Sequence, residues 1–142
     1  MKFAVEVPVR WSDMDAYGHV NHARVVTLLE DARTELLFRE MPRRGYGQIN
    51  DGMVVYKLAV EYRTPLVYTD SPIRVEIWVT EVRASAFVLR YAVPGPVGRR
   101  AQVVAETTMV PYDLAGNGPR RVSTELREFL ALWTAEEDAA SA

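Results

Sequence analysis

"NHARVVTLLEDARTELLFRE", residues 21–40, is the one long stretch of helical period in a chain otherwise patterned as strands. Val25, Leu28, Leu29, Ala32, Leu36 and Leu37 recur at three- and four-residue spacings, while Glu30, Arg33, Glu35 and Arg39 fill the opposite side. This is the signature of an amphipathic helix with a wide apolar face. It predicts a helix from Ala23 to about Glu40, capped by Asn21 and stopped near Pro42 and Gly45. Such a face must be buried, and only strands are available to bury it.

Outward from the helix, alternation takes over. In "FAVEVPVRW" (3–11), Phe3, Val5, Val7, Val9 and Trp11 share a face, with Pro8 marking an edge or bulge. "MVVYKLAVEYR" (53–63) sets Val54, Tyr56, Leu58, Val60 and Tyr62 against Lys57, Glu61 and Arg63. "IRVEIWVTEV" (73–82) groups Ile73, Val75, Ile77 and Val79, and "FVLRYAV" (87–93) groups Phe87, Leu89, Tyr91 and Val93. "AQVVAETTMVPY" (101–112) is a further β-branched run. Turn chemistry separates them in "TPLVYTDSP", "PGPVG" and "DLAGNGP". A second, short helix is expected over "STELREFLALW", opened by Ser123 or Thr124 and ending at Trp133. With no helices between the later strands, they should pair antiparallel. The expected fold class is α+β: one curled antiparallel sheet around one long central helix, with a short C-terminal helix.

At 142 residues, the chain suits one domain, expected over 1–135, followed by a frayed tail at 136–142. Seventeen basic and nineteen acidic residues leave it slightly negative, which argues against a nucleic-acid partner. The absence of cysteine excludes disulfides, thiolate nucleophiles and cysteine-ligated zinc. No segment approaches the ~20 apolar residues of a membrane span, and the N-terminus has no signal-peptide pattern, so a cytoplasmic protein is expected.

The chemistry concentrates just before the helix, in "SDMDAYGHVNH" (12–22), which holds both histidines of the chain. Asp13, Asp15 and Asn21 could simply cap the helix while Gly18 permits a turn. A metal site is disfavoured, because there is no third histidine and the spacing matches no zinc signature; no metal and no cofactor are expected. A third reading is catalytic. A helix N-terminus offers N–H donors and positive potential to an oxyanion. A carboxylate in the preceding loop could act as nucleophile or as general base on water. The pairing suits acyl transfer, and thioesters especially, because a thiol of pKa ~8.5 leaves without much acid assistance.

The stretch "VRWSDMDAYGHVNHARVVTLLEDARTELL" resembles the N-terminal signature of the 4-hydroxybenzoyl-CoA thioesterase family of hotdog-fold proteins, centred on a D-x-D-x-x-G-x-V run. The likeness continues through "VVYKLAVEYRTPLVYTDSPIRVEIWV", "VRASAFVLRY" and "PYDLAGNGPRRV", covering nearly the whole chain. It implies an acyl-CoA thioesterase that forms homodimers or homotetramers, with active sites at the subunit interface. It places the catalytic carboxylate at Asp15 and leaves Asp13 a supporting role. In one branch of the family a histidine seven positions on is also implicated, which is His22 here; its backbone N–H is the implied carbonyl-polarising donor. Tyr17, Gly18, His19, Val20 and Asn21 are expected to line the substrate site. Arg83 and Ser85 fall in the turn that meets the CoA nucleotide in the family, where Ala84 and Ala86 replace residues that are often basic or hydroxylic. Arg99 and Arg100 could assist, and Arg24 stands where an aromatic is usual. The alternatives are a hotdog-fold hydratase, disfavoured because His19 is one position short of the D-x(4)-H spacing from Asp15, and a non-catalytic acyl-CoA-binding module.

Overall fold

The computed structural model describes residues 1–47 and 52–138. Its elements are β1 (Phe3–Val7), a long helix α1 (22–43), β2 (Met53–Tyr62), β3 (Ile73–Val82), β4 (Phe87–Val93), β5 (Val103–Asp113), the two-residue β6 (Gly118–Pro119) and α2 (Thr124–Ala131). The strands form one antiparallel sheet in the order β1-β3-β4-β5-β2, with β6 paired on β5. The sheet curls around α1, as in the hotdog arrangement that the sequence leads one to expect.

The apolar stripe of α1 does what its period requires. Val25, Leu28, Leu29, Ala32, Leu36 and Leu37 are all buried. They share a core with Ile73, Val75, Ile77 and Val79 of β3 and Phe87, Leu89, Tyr91 and Val93 of β4. From the N-terminal segment, Val7 and Val9 join this core, while Trp11 does not. The chain leaves the strand after Val7 and turns through a 3₁₀ segment at Trp11–Asp13, so Trp11 is exposed rather than part of the predicted face.

Helix α1 is longer than its sequence pattern suggests. It is α-helical over His22–Thr34, widens to a π-helix over Glu35–Glu40, and returns to α-helix over Met41–Arg43. Pro42, the expected stop, lies inside it. Proline cannot donate a backbone bond four residues back, and the looser π ladder, in which Met41 N–H donates to the Leu36 carbonyl, absorbs that loss. The helix stops at Gly45, whose φ of +84° suits glycine. Gly45 N–H donates to the Pro42 carbonyl at 3.0 Å and Tyr46 N–H to the Met41 carbonyl at 3.2 Å, the two bonds of a glycine C-cap.

Strand β2 departs from the predicted alternation. A bulge between Val55 and Lys57 leaves Tyr56 without a partner on β5. Beyond it, Leu58, Val60 and Tyr62 pair with Thr107, Ala105 and Val103, on the helix-facing side of β5. Before it, the pairing of Val55 with Met109 and Met53 with Pro111 turns those residues inward and sends Val54 to the other face. A one-residue insertion reverses facing, so simple alternation mis-assigns one end of the strand.

The outer face of the sheet is partly strapped by the chain ends. Thr134 bridges to Val79, Met1 donates its N-terminal ammonium to the Thr134 carbonyl, and Lys2 pairs with Asp138 at 2.9 Å. Lys2 also lies over the ring of buried Trp78, and Arg90 binds both Glu106 and Glu137. The rest of the expected frayed tail, 139–142, lies outside the described residues.

Candidate active site

The loop before α1 is knotted by its own polar groups. Asp13 is 8% exposed. Its carboxylate accepts Arg10 N–H at 2.8 Å, and its carbonyl accepts Asn21 N–H at 2.9 Å. Asp15 N–H donates to the His19 carbonyl and Gly18 N–H to the Asp15 carbonyl, each at 3.0 Å, closing a tight turn with Gly18 at φ +75°. Val20 N–H then donates to the Leu66 carbonyl at 2.8 Å, pinning the loop to the segment after β2.

This closure holds Asp15 in place. Its Oδ1 accepts Tyr17 N–H at 3.0 Å, and its Oδ2 accepts the Asn21 side-chain amide at 3.1 Å. Asn21 acts twice, since its Oδ1 also accepts Ala23 N–H at 3.0 Å as the helix N-cap. Capping and carboxylate positioning are therefore one device. His22 is the first helical residue, so its N–H is one of the donors that helix geometry leaves without an intrahelical acceptor.

A cleft of about 640 Å³ opens here, within the size range of small-molecule sites. Asp15, Tyr17, His19, Val20, Asn21 and His22 line one wall. Tyr62, Arg63, Thr64, Pro65 and Leu66 line another, with Val25 and Val103 behind. The structure thus gathers the loop residues expected from the sequence, with Gly18 forming the turn beneath them. Tyr17 is 86% exposed.

The second wall is not foreseeable from the sequence pattern. Tyr62 donates its hydroxyl to the His22 carbonyl at 2.9 Å, and the two rings meet edge-on at 6.3 Å. Partial burial pushes the Tyr62 phenol above its ordinary value. Arg63 pairs with Glu61 at 2.8 Å, and its backbone N–H and that of Thr64 both donate to the Gln102 carbonyl. The available signal is a strand ending in "EYRTP", an aromatic and a cation followed by turn residues, but only the fold sets that end beside the helix cap.

Arg83 and Ser85 do not join them. They sit in the β3–β4 turn, at the end of the sheet where Phe87 pairs with Met109 and Met109 with Val55. The cleft is at the other end, where Val93 pairs with Val103 and Val103 with Tyr62. Six residues of β4 separate the two ends, roughly 20 Å of strand. Arg83 is exposed and clamped by both carboxylate oxygens of Glu81 at 2.8 Å, which lowers the Glu81 carboxyl below its ordinary range. Arg99 and Arg100 lie in the β4–β5 connection, at the cleft end. Arg100 also helps Arg63 depress the Glu61 carboxyl. Among the described residues, no three His, Asp or Glu side chains gather as a metal site.

Residues 9–133 match the family model of the thioesterase-like superfamily. The chain belongs to that superfamily. It is 28% identical over 127 residues to the long-chain acyl-CoA thioesterase FadM of Escherichia coli strain K12, covering 88% of this chain and 94% of that one. The structure of the E. coli probable thioesterase YbaW superposes with a TM-score of 0.74 at 25% identity, covering 95% and 99% of the two chains. A Thermus thermophilus thioesterase solved with coenzyme A and zinc shares the fold, at TM-score 0.71 and 22% identity, over 95% and 96%. As a member of this superfamily, the protein is a thioesterase of hotdog fold. No helix among the described residues is long and apolar enough to cross a membrane.

Proposed function

We propose that the protein hydrolyses acyl-CoA thioesters with Asp15 as the reacting carboxylate and the start of α1 as the carbonyl-polarising element. The observation that carries this reading is the fixed carboxylate. Asp15 sits on the cleft wall with one bond to each oxygen, from Tyr17 N–H and the Asn21 amide, six residues before the helix cap closes. Each oxygen keeps a lone pair for a water or for the thioester carbon.

In the proposed reaction the thioester oxygen faces the His22 N–H, where the helix dipole favours the charge that develops as the carbonyl is attacked. Asp15 either takes a proton from the attacking water or attacks the carbonyl carbon itself, to give an anhydride that water then opens. The carbon–sulfur bond breaks, and the thiolate of CoA departs. His22 orients the acid, the water or the leaving sulfur, and Tyr62 holds the His22 backbone from behind. FadM, which acts on long-chain acyl-CoA by its name, and the Thermus thioesterase solved with CoA support the choice of thioester.

The assembly proposed is a homodimer through β2. This strand is hydrogen-bonded on one side only, to β5, and carries exposed Val55, Tyr56, Leu58 and Tyr62. A ten-residue edge with that much apolar surface is a template for a second copy. The opposite edge, β1, is five residues long and followed by Pro8, and offers much less. Symmetric antiparallel pairing of β2 with its copy sets the Tyr62 end of one chain beside the Met53 end of the other. That would bring the Arg83 turn of one copy toward the cleft of the other, where Arg99 and Arg100 already stand, and give the CoA phosphates a basic footing.

The test is thiol release from a panel of acyl-CoAs, read with a thiol reagent; the cysteine-free chain adds no background. Turnover that tracks the dimer in light scattering is the expected result. Tight acyl-CoA binding without release of CoA would leave only a binding module. A fully active monomer of 16.1 kDa would overturn the assembly.

A further inference from the structure

A second cavity, of about 350 Å³, lies farther along α1, against residues 30–38. It is bounded by Arg33, Leu37 and Phe38 of the helix and by Met53, Val55 and Met109 of the sheet. It shares no lining residue with the catalytic cleft. Two features mark it as a built site rather than a packing defect. The first is the π-helical stretch, which starts one residue after Thr34 on the rim and carries Leu37 and Phe38. A π-turn widens the helix by one residue and is found disproportionately at functional sites. Here Phe38 remains half-exposed at the rim instead of filling the space.

The second feature is Arg33, whose side chain is 12% exposed, on a helix wall that it shares with Glu30 and Thr34 opposite apolar side chains of the sheet. One terminal nitrogen donates to the hydroxyl of buried Tyr91 at 3.3 Å, and Tyr91 in turn meets Thr107 at 2.8 Å. This chain of bonds fixes the direction of the head group. The other terminal nitrogen is 3.6 Å from the exposed Glu30 carboxylate, within ion-pair range but too long for a hydrogen bond. A guanidinium has five N–H donors, so several remain for a ligand.

We infer that this cavity receives the far end of the acyl chain from the catalytic cleft of the partner copy, and that Arg33 selects chains ending in an oxygen acceptor, a terminal carboxylate above all. The inference rests on the thioesterase reading and on β2-to-β2 pairing, and it adds the substrate class. The pairing sets Tyr62, at the cleft, opposite the strand end where Met53 and Val55 border this cavity. A chain leaving Asp15 therefore crosses the strand pair into the partner's cavity. Along its own chain it would have to follow about 16 Å of helix from His22 to Arg33. Glu30 holds the place of the absent carboxylate and yields it to the substrate.

The experiment compares adipoyl-CoA with hexanoyl-CoA, which have six-carbon acyl groups and differ in the terminal carboxylate. Wild type should favour adipoyl-CoA in kcat/KM. Arg33→Met should cut that preference, read as the ratio of the two kcat/KM values, by roughly 10–100-fold, the loss expected for hydrogen bonds to a charged group. Arg33→Lys, which keeps the charge but not the fork, should lie between and serves if the Met variant folds poorly. Glu30→Gln should raise the preference. In mixed dimers, a chain with Asp15→Asn and a chain with Arg33→Met should restore one site of wild-type selectivity, because each supplies the part the other lacks. An equal preference in wild type and Arg33→Lys, or no restoration in mixed dimers, would overturn the inference while hexanoyl-CoA hydrolysis keeps the thioesterase reading intact. Calorimetric titration of the Asp15→Asn protein with both thioesters gives a readout that does not depend on turnover. Tighter binding of hexanoyl-CoA there would also overturn it.

Discussion

At its N-terminal end α1 begins in a loop where the side chains of Asp13, Asp15 and Asn21 make four hydrogen bonds between Arg10 and Ala23. At its C-terminal end the same helix loosens into a π-turn, passes through a proline and stops at a left-handed glycine. One end uses polar groups to fix a carboxylate. The other gives up backbone regularity to leave room. In the roles proposed above, chemistry needs groups held to a fraction of an ångström, whereas an acyl tail needs only volume and a few aimed donors, and the two ends of one helix differ accordingly.

The sharpest way to break this contrast is at Asp15. Asp15→Asn keeps size and removes the base and nucleophile, so kcat should fall by about 10²–10⁴-fold with an unchanged circular dichroism spectrum. Near-normal turnover would reduce the loop to a helix cap. His22→Ala keeps the backbone N–H and should cost less; a greater loss would make the histidine the principal base. Asp13→Ala should behave in the opposite way. It removes a buried acceptor from Arg10 N–H and should cost about 1–3 kcal/mol of stability, read from urea unfolding, with a smaller effect on kcat than Asp15→Asn has. Tyr62→Phe removes only the bond to the His22 carbonyl, and kcat/KM should fall by no more than about tenfold.

The smallest effect belongs to the C-terminal end. A side-chain hydrogen bond from Arg44, aided by the charge of Arg43, holds the Glu40 carboxyl below its ordinary value. A depressed carboxyl contributes stability above its unfolded pKa, and that contribution is lost as pH falls through the lower folded value. Because both arginines reach solvent, with Arg43 68% and Arg44 39% exposed, the contribution is about 0.5 kcal/mol or less. The difference in urea midpoint between wild type and Glu40→Gln should therefore be small at neutral pH and vanish in acid; a difference that grew in acid would contradict the sign.

The sequence by itself determined the central helix, the strands of the sheet and the crowded loop. Each of these rests on local information: apolar period for α1 and the strands, short-range capping chemistry for residues 13–22. The loop residues gather on one wall of the cleft because their mutual bonds span only a few positions. Tertiary structure decided the rest. Tyr62 and Arg63 reach the helix start from about forty residues away, through the pairing of β2 with β5. The bulge at Tyr56 turned Met53 and Val55 inward, which no alternation rule could show, because one inserted residue reverses a strand's facing without altering its composition. Arg83 and Ser85, which family likeness sets against the CoA nucleotide, lie at the far end of the sheet from their own chain's cleft, since antiparallel strands carry neighbouring turns to opposite ends. Periodicity records which face a residue takes; which end of the sheet it reaches, and what it meets there, depends on how the strands are ordered.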